Sequence, residues 1–422
     1  MKKSTLMPVS GHLPGCPTCG SGSAIEGFLD EFAAEFRHAA AAGLCRLRQQ
    51  GVGGEARHRI QLQEPWVLVV EDEVRTPEVA TSNRRSDSKG VLVACSHRWT
   101  RDLRIEDVDL DTNLGPRDVW VETKISALKI GTDRGNYEGA EQVPGAPDYP
   151  RPVGDSSLGS VRGVGSEVGD LKVGERVFSR NWHQSGYILD RDQIAKVPDD
   201  VSDEDGVYAG LYSLCALSYT RCQYQSGETV AVVGLGVLGM GEVALGNAYG
   251  ARVAAIGNSP IRLEMADRMG AHFCALYDDP RLSEKLDEWT GGSGVDLVIN
   301  TANPWSAYRV SVEIVRSHGR VGILGLPGRG EPPLDFNPLS MEWFYSKSLT
   351  VTAVSGQASH FYSPEGRSNL DDSCRHVLSL MASGRVSPSR LITHRLPFDR
   401  MKEAYDMIDR REKNMLGVIF QW

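Results

Sequence analysis

The apolar positions change their rhythm three times along the chain. From Lys89 to about residue 176 they come as β-branched and aromatic runs, "GVLVACS" and "VWVETKISAL", punctuated by glycine and proline. "GERVFS" and "SGYILD" continue this strand-rich pattern. Helical spacing begins near Glu204 and lasts to about Cys222. From Glu228 the text "TVAVVGLGVLGMGEVALGNAYGARVAAIG" reads strand, glycine turn, helix, strand, and the apolar runs "VDLVINTA" and "GRVGILGLPG" follow. Strands alternating with helices predict a parallel sheet with crossover helices. From about 346 strand and helix signals mix again, in "SLTVTAV", "SCRHVLSLMASGRV" and "KEAYDMIDRR".

The first 88 residues read differently. Residues 1–22 are rich in Gly, Ser and Pro and are expected to be mobile. Ser23 and Glu26 form a capping box, and Ile25, Phe28, Leu29, Phe32, Phe36, Leu44 and Leu47 follow at helical spacing up to Gly51. That predicts an amphipathic helix. "WVLVV" is a candidate strand, and residues 71–88 form a polar linker. No function is readable in this extension.

Composition narrows the class. The chain has 422 residues, enough for two or three domains, with 41% hydrophobic and 24% charged residues. A net charge of −9 argues against a nucleic-acid surface. No apolar run approaches the roughly 20 residues that span a bilayer, and "MKKST" is followed by no apolar signal segment. The eight cysteines are widely scattered, which fits reduced thiols and predicts a cytoplasmic protein. Cys16 and Cys19 make a C-x-x-C without the second pair that a zinc ribbon needs.

The sharpest local signal is Gly234, Gly236 and Gly239, a G-x-G-x-x-G that follows the apolar strand "TVAVV" and opens a helix. The first glycine makes a tight turn, the second admits a pyrophosphate to the backbone, and the third lets helix and strand pack closely. The helix start, with Val237 and Leu238, offers N–H groups and partial positive charge to phosphates. Thr301, Gly325 and Leu326, at the ends of the two later apolar runs, complete the expected cofactor set. The second strand ends in Ile256-Gly257-Asn258-Ser259-Pro260-Ile261-Arg262, without the acid that an NAD site uses to bind ribose hydroxyls. Gly257 leaves room, Asn258 and Ser259 can donate hydrogen bonds, and Arg262 can meet a 2′-phosphate; the expected cofactor is NADP(H). Ser259 and Pro260 also suit the first positions of the next helix.

With "GTDRGNYEG", "LGSVRGVGSEVGDLKVGERVF", "SGETVAVVGLGVLG", "SPIRLEMADRMGA", "GVDLVINTA", "GRVGILGLPG" and "LITHRLPFDRMKEAYDMI" in this order, the chain from about 89 to 422 resembles the medium-chain dehydrogenase/reductase (zinc alcohol dehydrogenase-like) superfamily. The resemblance implies an α/β fold: a Rossmann doubly wound parallel sheet (217–345) inserted in a β-rich GroES-like catalytic domain (89–216 and 346–422), preceded by the helical extension (1–88). It implies a homodimer through the Rossmann domain and an oxidoreductase acting on a small molecule in the cleft between domains. "YPRPVGDSSLGSVRGVG" and "GERVFSRNWH" look closest to a bacteriochlorophyllide dehydrogenase-like branch, many of whose members serve specialised metabolism.

The family's catalytic zinc ligands do not carry over. The first falls on Ile130, the second on Asp155, the third near Leu211. A catalytic zinc needs about three protein ligands of N, S or O type, so the expectation is a zinc-free member. A side chain must then manage the charge or the proton. His183, just past "RVF", is the first candidate; Asp155 and Asp133 flank the former metal position, and Thr132 and Tyr137 can donate to a substrate oxygen. The leading expectation is carbonyl/alcohol chemistry. Enone or quinone reduction, a non-redox epimerase and a catalytically silent nucleotide-binding protein are the alternatives.

Overall fold

The structure, a computed structural model, describes residues 60–63, 67–70, 89–139, 148–355 and 370–422. The helix expected over 23–50, the Cys16/Cys19 pair and the linker at 71–88 lie outside these residues. The chain divides into two compact units, 1–84 and 85–422. The first contains a two-stranded antiparallel hairpin, β1 (Ile60–Gln63) with β2 (Val67–Val70), which includes most of the expected "WVLVV" strand.

In the second unit the early strands are β3 (Lys89–Trp99), β4 (Asp102–Asp111), β5 (Asp118–Ala127), β6 (Arg151–Pro152), β7 (Ser157–Val164), β8 (Arg176–Ser179), β9 (Gly186–Asp190) and β10 (Ile194–Lys196). Helix α1 (Ile130–Glu138) interrupts them after β5 and ends in a left-handed turn at Gly139, φ 74°. The last two strands of the chain, β17 (Ile392–Pro397) and β18 (Gly417–Gln421), join this early group. The sheet runs β10-β8-β7-β5-β18-β17, with β9 on β5 as well. β18 pairs antiparallel with β5 through Ile419 and Ala127, so the end of the chain closes a domain begun near residue 89. Strands β3, β4 and β6 form a separate small sheet.

Between these halves lies the nucleotide-type domain. It holds β11 (Thr229–Val233), β12 (Arg252–Gly257), β13 (Phe273–Leu276), β14 (Val295–Asn300), β15 (Val315–Ile323) and β16 (Thr350–Ala353). All pairings are parallel, in the order β13-β12-β11-β14-β15-β16. Every residue of β11 is buried, as expected of a strand covered by helices on both faces. The helices are α2 (Ala209–Arg221), which leads into this domain, α3 (Val237–Ala248), α4 (Pro260–Arg268), α5 (Leu282–Thr290) and α6 (Trp305–Ile314). Helices α7 (Leu370–Ala382) and α8 (Met401–Asp409) follow near the end of the chain. The chain leaves β11 toward β12 and β13, then returns to build β14 to β16 on the other side. That reversal beside β11 is the place where open parallel sheets bind ligands. β16 belongs to this sheet, so the sheet extends past the boundary expected at 345. The strand signal "SLTVTAV" carried no mark of which sheet it joins.

Candidate active site

The glycine turn has the geometry its spacing predicts. Gly234 sits at φ 96°, a conformation that disfavours any side chain, and a Cβ there would press on Ala302 at 2.8 Å. A Cβ on Gly239 would lie 1.9 Å from the Gly234 carbonyl oxygen, so only glycine lets α3 pass this close to the turn. Gly236 is different: nothing lies within 4 Å of a Cβ built there. It is the N-cap of α3, and no side chain caps that helix. The helix therefore presents bare N–H groups and the positive end of its dipole into open space beside Gly236. These features fit a dinucleotide pyrophosphate.

The flanking residues take unequal parts. Thr301 donates its hydroxyl to Gly234 O at 2.8 Å and its N–H to Val233 O at 2.9 Å, so it braces the turn from below. A Cβ on Gly325 would meet Ala302 O at 2.7 Å, which marks close packing of the two strand ends. Val237 is buried and Leu238 half-buried at the start of α3, whereas Leu326 is 42% exposed. At the end of β12 the room expected above Gly257 is filled: a Cβ there would lie 2.6 Å from Leu235 Cδ1. The glycine accommodates Leu235, not a ligand. Asn258 is exposed, and Ser259 is the buried N-cap of α4, with Pro260 at the first helical position. Arg262 reaches back from α4. Its guanidinium makes only long contacts, 3.4 Å to Leu235 O and 3.5 Å to Met415 O, and Nε is buried without a partner. Burial, and then the charge of Arg134, holds this guanidinium below its ordinary pKa.

At the positions where the resemblance would put metal ligands, the donors are missing. Ile130 packs against the apolar cluster of the catalytic domain, and Leu211 is 4% exposed within the main core. Asp155 is ion-paired with the Lys129 ammonium, and Arg180 Nε lies 3.9 Å from its other oxygen. A metal at Asp155 would have to displace two cations, and Ile130 and Leu211 would give it no second or third ligand. Among the described residues no three His, Cys, Asp or Glu side chains stand together as a metal site. These residues do not fit a catalytic zinc. Lys129 and Arg180 were missed in the sequence because each is an ordinary basic residue beside a motif. Their meeting depends on Asp155, 26 positions away from Lys129. Burial lowers the Lys129 pKa, Arg180 lowers it further, and Asp155 opposes both.

Three expected catalytic residues turn out to be structural in placement. His183 is 0% exposed. Its Nδ1 is 2.8 Å from Ser126 Oγ, its ring meets Phe420 edge-on at 5.2 Å, and the Gly154 backbone closes over it. These contacts are those of a packed ring with no exposed surface in this structure. Asp133 is 3% exposed and accepts from the Lys129 backbone N–H at 2.8 Å and from Tyr405 OH at 3.2 Å. It locks the first turn of α1 onto α8, and burial pushes its pKa up to about 6. Tyr137 is 3% exposed, packed on Tyr405, with its hydroxyl 3.4 Å from Asp406. Thr132 is exposed in the first turn of α1. Around the former metal position, Thr132 and Asp155 keep exposed surface, and Lys129 and Arg180 lie part-buried beside Asp155.

Comparison with known proteins agrees with this architecture. The sequence profile of the zinc-binding dehydrogenase family matches residues 237–371. Sorbitol dehydrogenase of Bacillus subtilis (strain 168) is 24% identical over 341 residues, covering 73% of this chain and 90% of its own. Galactitol-1-phosphate dehydrogenase from Escherichia coli superposes with a TM-score of 0.68 at 19% identity, covering 78% of this chain and all (100%) of its own. A structure from Sinorhizobium meliloti 1021, provisionally named a zinc-binding dehydrogenase and bound to NADP, superposes at 0.64 with 21% identity, covering 79% of this chain and 100% of its own. The fold is that of the alcohol dehydrogenases, and within it residues 237–371 are similar to the zinc-binding dehydrogenase family.

Proposed function

We propose that this chain is an NADP(H)-dependent oxidoreductase that works without zinc, passing hydride between the nicotinamide and the carbonyl or alcohol carbon of a small metabolite. The observation that carries the reading is the Lys129–Asp155–Arg180 cluster, which fills the position of a metal ligand with two cations and one carboxylate. The nucleotide, when bound, supplies or accepts the hydride. Gly234, Gly236 and Gly239 with the start of α3 would hold its pyrophosphate, and Arg262 would supply the guanidinium for a 2′-phosphate.

The cluster has a net positive charge at a part-buried position, so it stabilises an oxygen on which negative charge develops. In carbonyl reduction the hydride goes to carbon and the proton to oxygen. Burial lowers the Lys129 pKa, which makes its ammonium a readier proton donor, and Asp155 keeps it aimed. Thr132 adds a hydroxyl donor. In the opposite direction the same Lys129 nitrogen takes the proton back. The homodimer fits too: among the described pairings β16 has a neighbour on one side only, and the segment before it exposes Leu339, Met341 and Tyr345. A cytoplasmic setting fits the five described cysteines, which form no disulfide with one another. A role in specialised metabolism rests on the branch resemblance.

The test is a panel of aldehydes, ketones and alcohols with NADPH or NADP+, followed by nicotinamide absorbance. With a substrate that turns over, Lys129→Met should lower kcat by about 10²–10³, the size of a lost oxyanion donor, with nucleotide affinity unchanged. Full kcat in Lys129→Met, or turnover that appears only on adding zinc, would overturn the reading.

A further inference from the structure

A second cluster of positive charge lies along α1 and is not needed for the nucleotide turn or for the hydride step. Arg151, on β6, is 3% exposed. Its guanidinium lies over the Tyr149 ring at 4.1 Å, and Nη2 makes one long contact, 3.4 Å to Asn136 O. Nε and Nη1 are both buried and meet no hydrogen-bond partner among the described residues. No carboxylate pairs with Arg151 among those residues. A buried guanidinium with two unused N–H edges is costly, because a charge removed from water needs a partner of opposite sign.

Arg329 reaches the same place from the other domain. It lies on the loop after β15, and Nη2 donates to Asn136 Oδ1 at 3.2 Å. Its Cζ would lie 2.7 Å from a Cβ on Gly135, so a glycine in α1 makes the room it occupies. Arg134 precedes Gly135 on that helix, with Glu138 3.9 Å from its Nε. Burial, then Arg151, then Arg134 lower the pKa of Arg329. Three guanidinium groups thus lie near one another beside α1.

The sheet order says which end of the cleft this is. β12 and Arg262 lie on one side of β11, and β14 and β15 on the other. If the adenosine half follows β12, the loop after β15 stands at the reacting end. We infer that Arg151 and Arg329 bind an anionic group, a carboxylate or a phosphate, carried by the substrate. A guanidinium fork suits either oxyanion, because two parallel N–H bonds can be made to two oxygens. The assignment to the substrate rests on the nucleotide-binding reading above; the existence of the anion site does not.

The experiment is calorimetric titration of the full chain with inorganic phosphate, with and without saturating NADPH, at constant ionic strength set by sodium chloride. The expected result is a single phosphate site that persists with NADPH bound. Arg329→Met should weaken it by about tenfold or more, as for a lost charge-assisted hydrogen bond, and leave NADPH affinity unchanged. Arg151→Met should do the same. Should that buried variant fail to fold, Arg329→Met, on a loop of the other domain, decides alone. Phosphate binding that NADPH abolishes, together with weaker NADPH binding in Arg329→Met, would assign the anion to the nucleotide and overturn the substrate assignment. Phosphate binding equal in wild type and Arg329→Met, or absent from both, would overturn the site. If NADPH itself does not bind, the nucleotide reading fails while the phosphate titration still reports on the arginines.

Discussion

Gly236→Ala separates a glycine kept for a ligand from one kept for the fold. The methyl group would meet nothing within 4 Å, and the backbone at φ −81°, ψ −168° admits alanine without strain. The fold loses only the difference between glycine and alanine as an N-cap, at most about 1 kcal/mol. For a domain of this size that is a fall in Tm of about 2–4 °C. The added methyl stands at the mouth of α3, where the pyrophosphate would come against the backbone. Nucleotide affinity should therefore fall by about tenfold or more, the scale of one lost charge-assisted hydrogen bond. Gly239→Ala is the control of opposite kind. Its Cβ would need to sit 1.9 Å from Gly234 O, a backbone atom that cannot swing aside. That overpacking costs at least about 1–3 kcal/mol and should lower Tm and affinity together. The assays are thermal unfolding by circular dichroism and NADPH titration by fluorescence. Wild-type NADPH affinity in a well-folded Gly236→Ala protein would refute the placement of the pyrophosphate on this turn.

Arg262→Ala should weaken NADPH by roughly ten- to a hundredfold and NADH little, because a charged hydrogen bond to the 2′-phosphate contributes about 1.5–3 kcal/mol; equal weakening of both nucleotides would contradict the NADP(H) assignment. Glu242 predicts a pH dependence of stability. It is 0% exposed on α3, and Ser218 Oγ lies 2.5 Å from its Oε1 and 2.6 Å from Cys215 O. With one hydroxyl proton to give, Ser218 is best served by a protonated Glu242, and burial drives the carboxyl pKa well above its ordinary value. The folded state thus holds this proton more tightly than the unfolded chain, whose glutamate titrates near 4.3. The stabilisation is complete below that value and is lost as pH rises through the folded pKa. Glu242→Gln should remove this component, so that its Tm falls less than that of the wild type between about pH 5 and 9; parallel Tm curves would show that Glu242 is not the cause.

What the sequence disclosed was local, and what it hid was long-range. The glycine turn was legible because its three residues act on each other across five positions, and the missing metal donors were legible because a side chain without N, S or O cannot ligate. The orientation of His183 was not. Whether a residue just past β8 turns inward or outward is set by Ser126 and Phe420, which reach it only once β5 and β18 have paired. Asp133 shows the same limit: a polar residue in the first turn of α1 reads equally as catalyst or cap, and Tyr405, 272 positions away, decides for the cap. Gly257 looked like space for a phosphate and proved to be space for Leu235. Lys129 with Asp155, and Arg151 with Arg329, are like cases: basic residues carry no mark of their partners until the fold assembles them. The edge position of β16 was hidden for the same reason, since a short apolar run names no neighbour.

Catalysis without zinc is the central proposal, and metal analysis tests it most directly. Purified protein, dialysed without chelator, can be analysed for metal by mass spectrometry and assayed in parallel for turnover of a carbonyl substrate. With Ile130 and Leu211 in the apolar packing and Asp155 occupied by Lys129 and Arg180, the zinc content should be well below one ion per chain, and turnover should survive a chelator. One zinc per chain, lost together with activity on chelation and restored with it, would contradict the account.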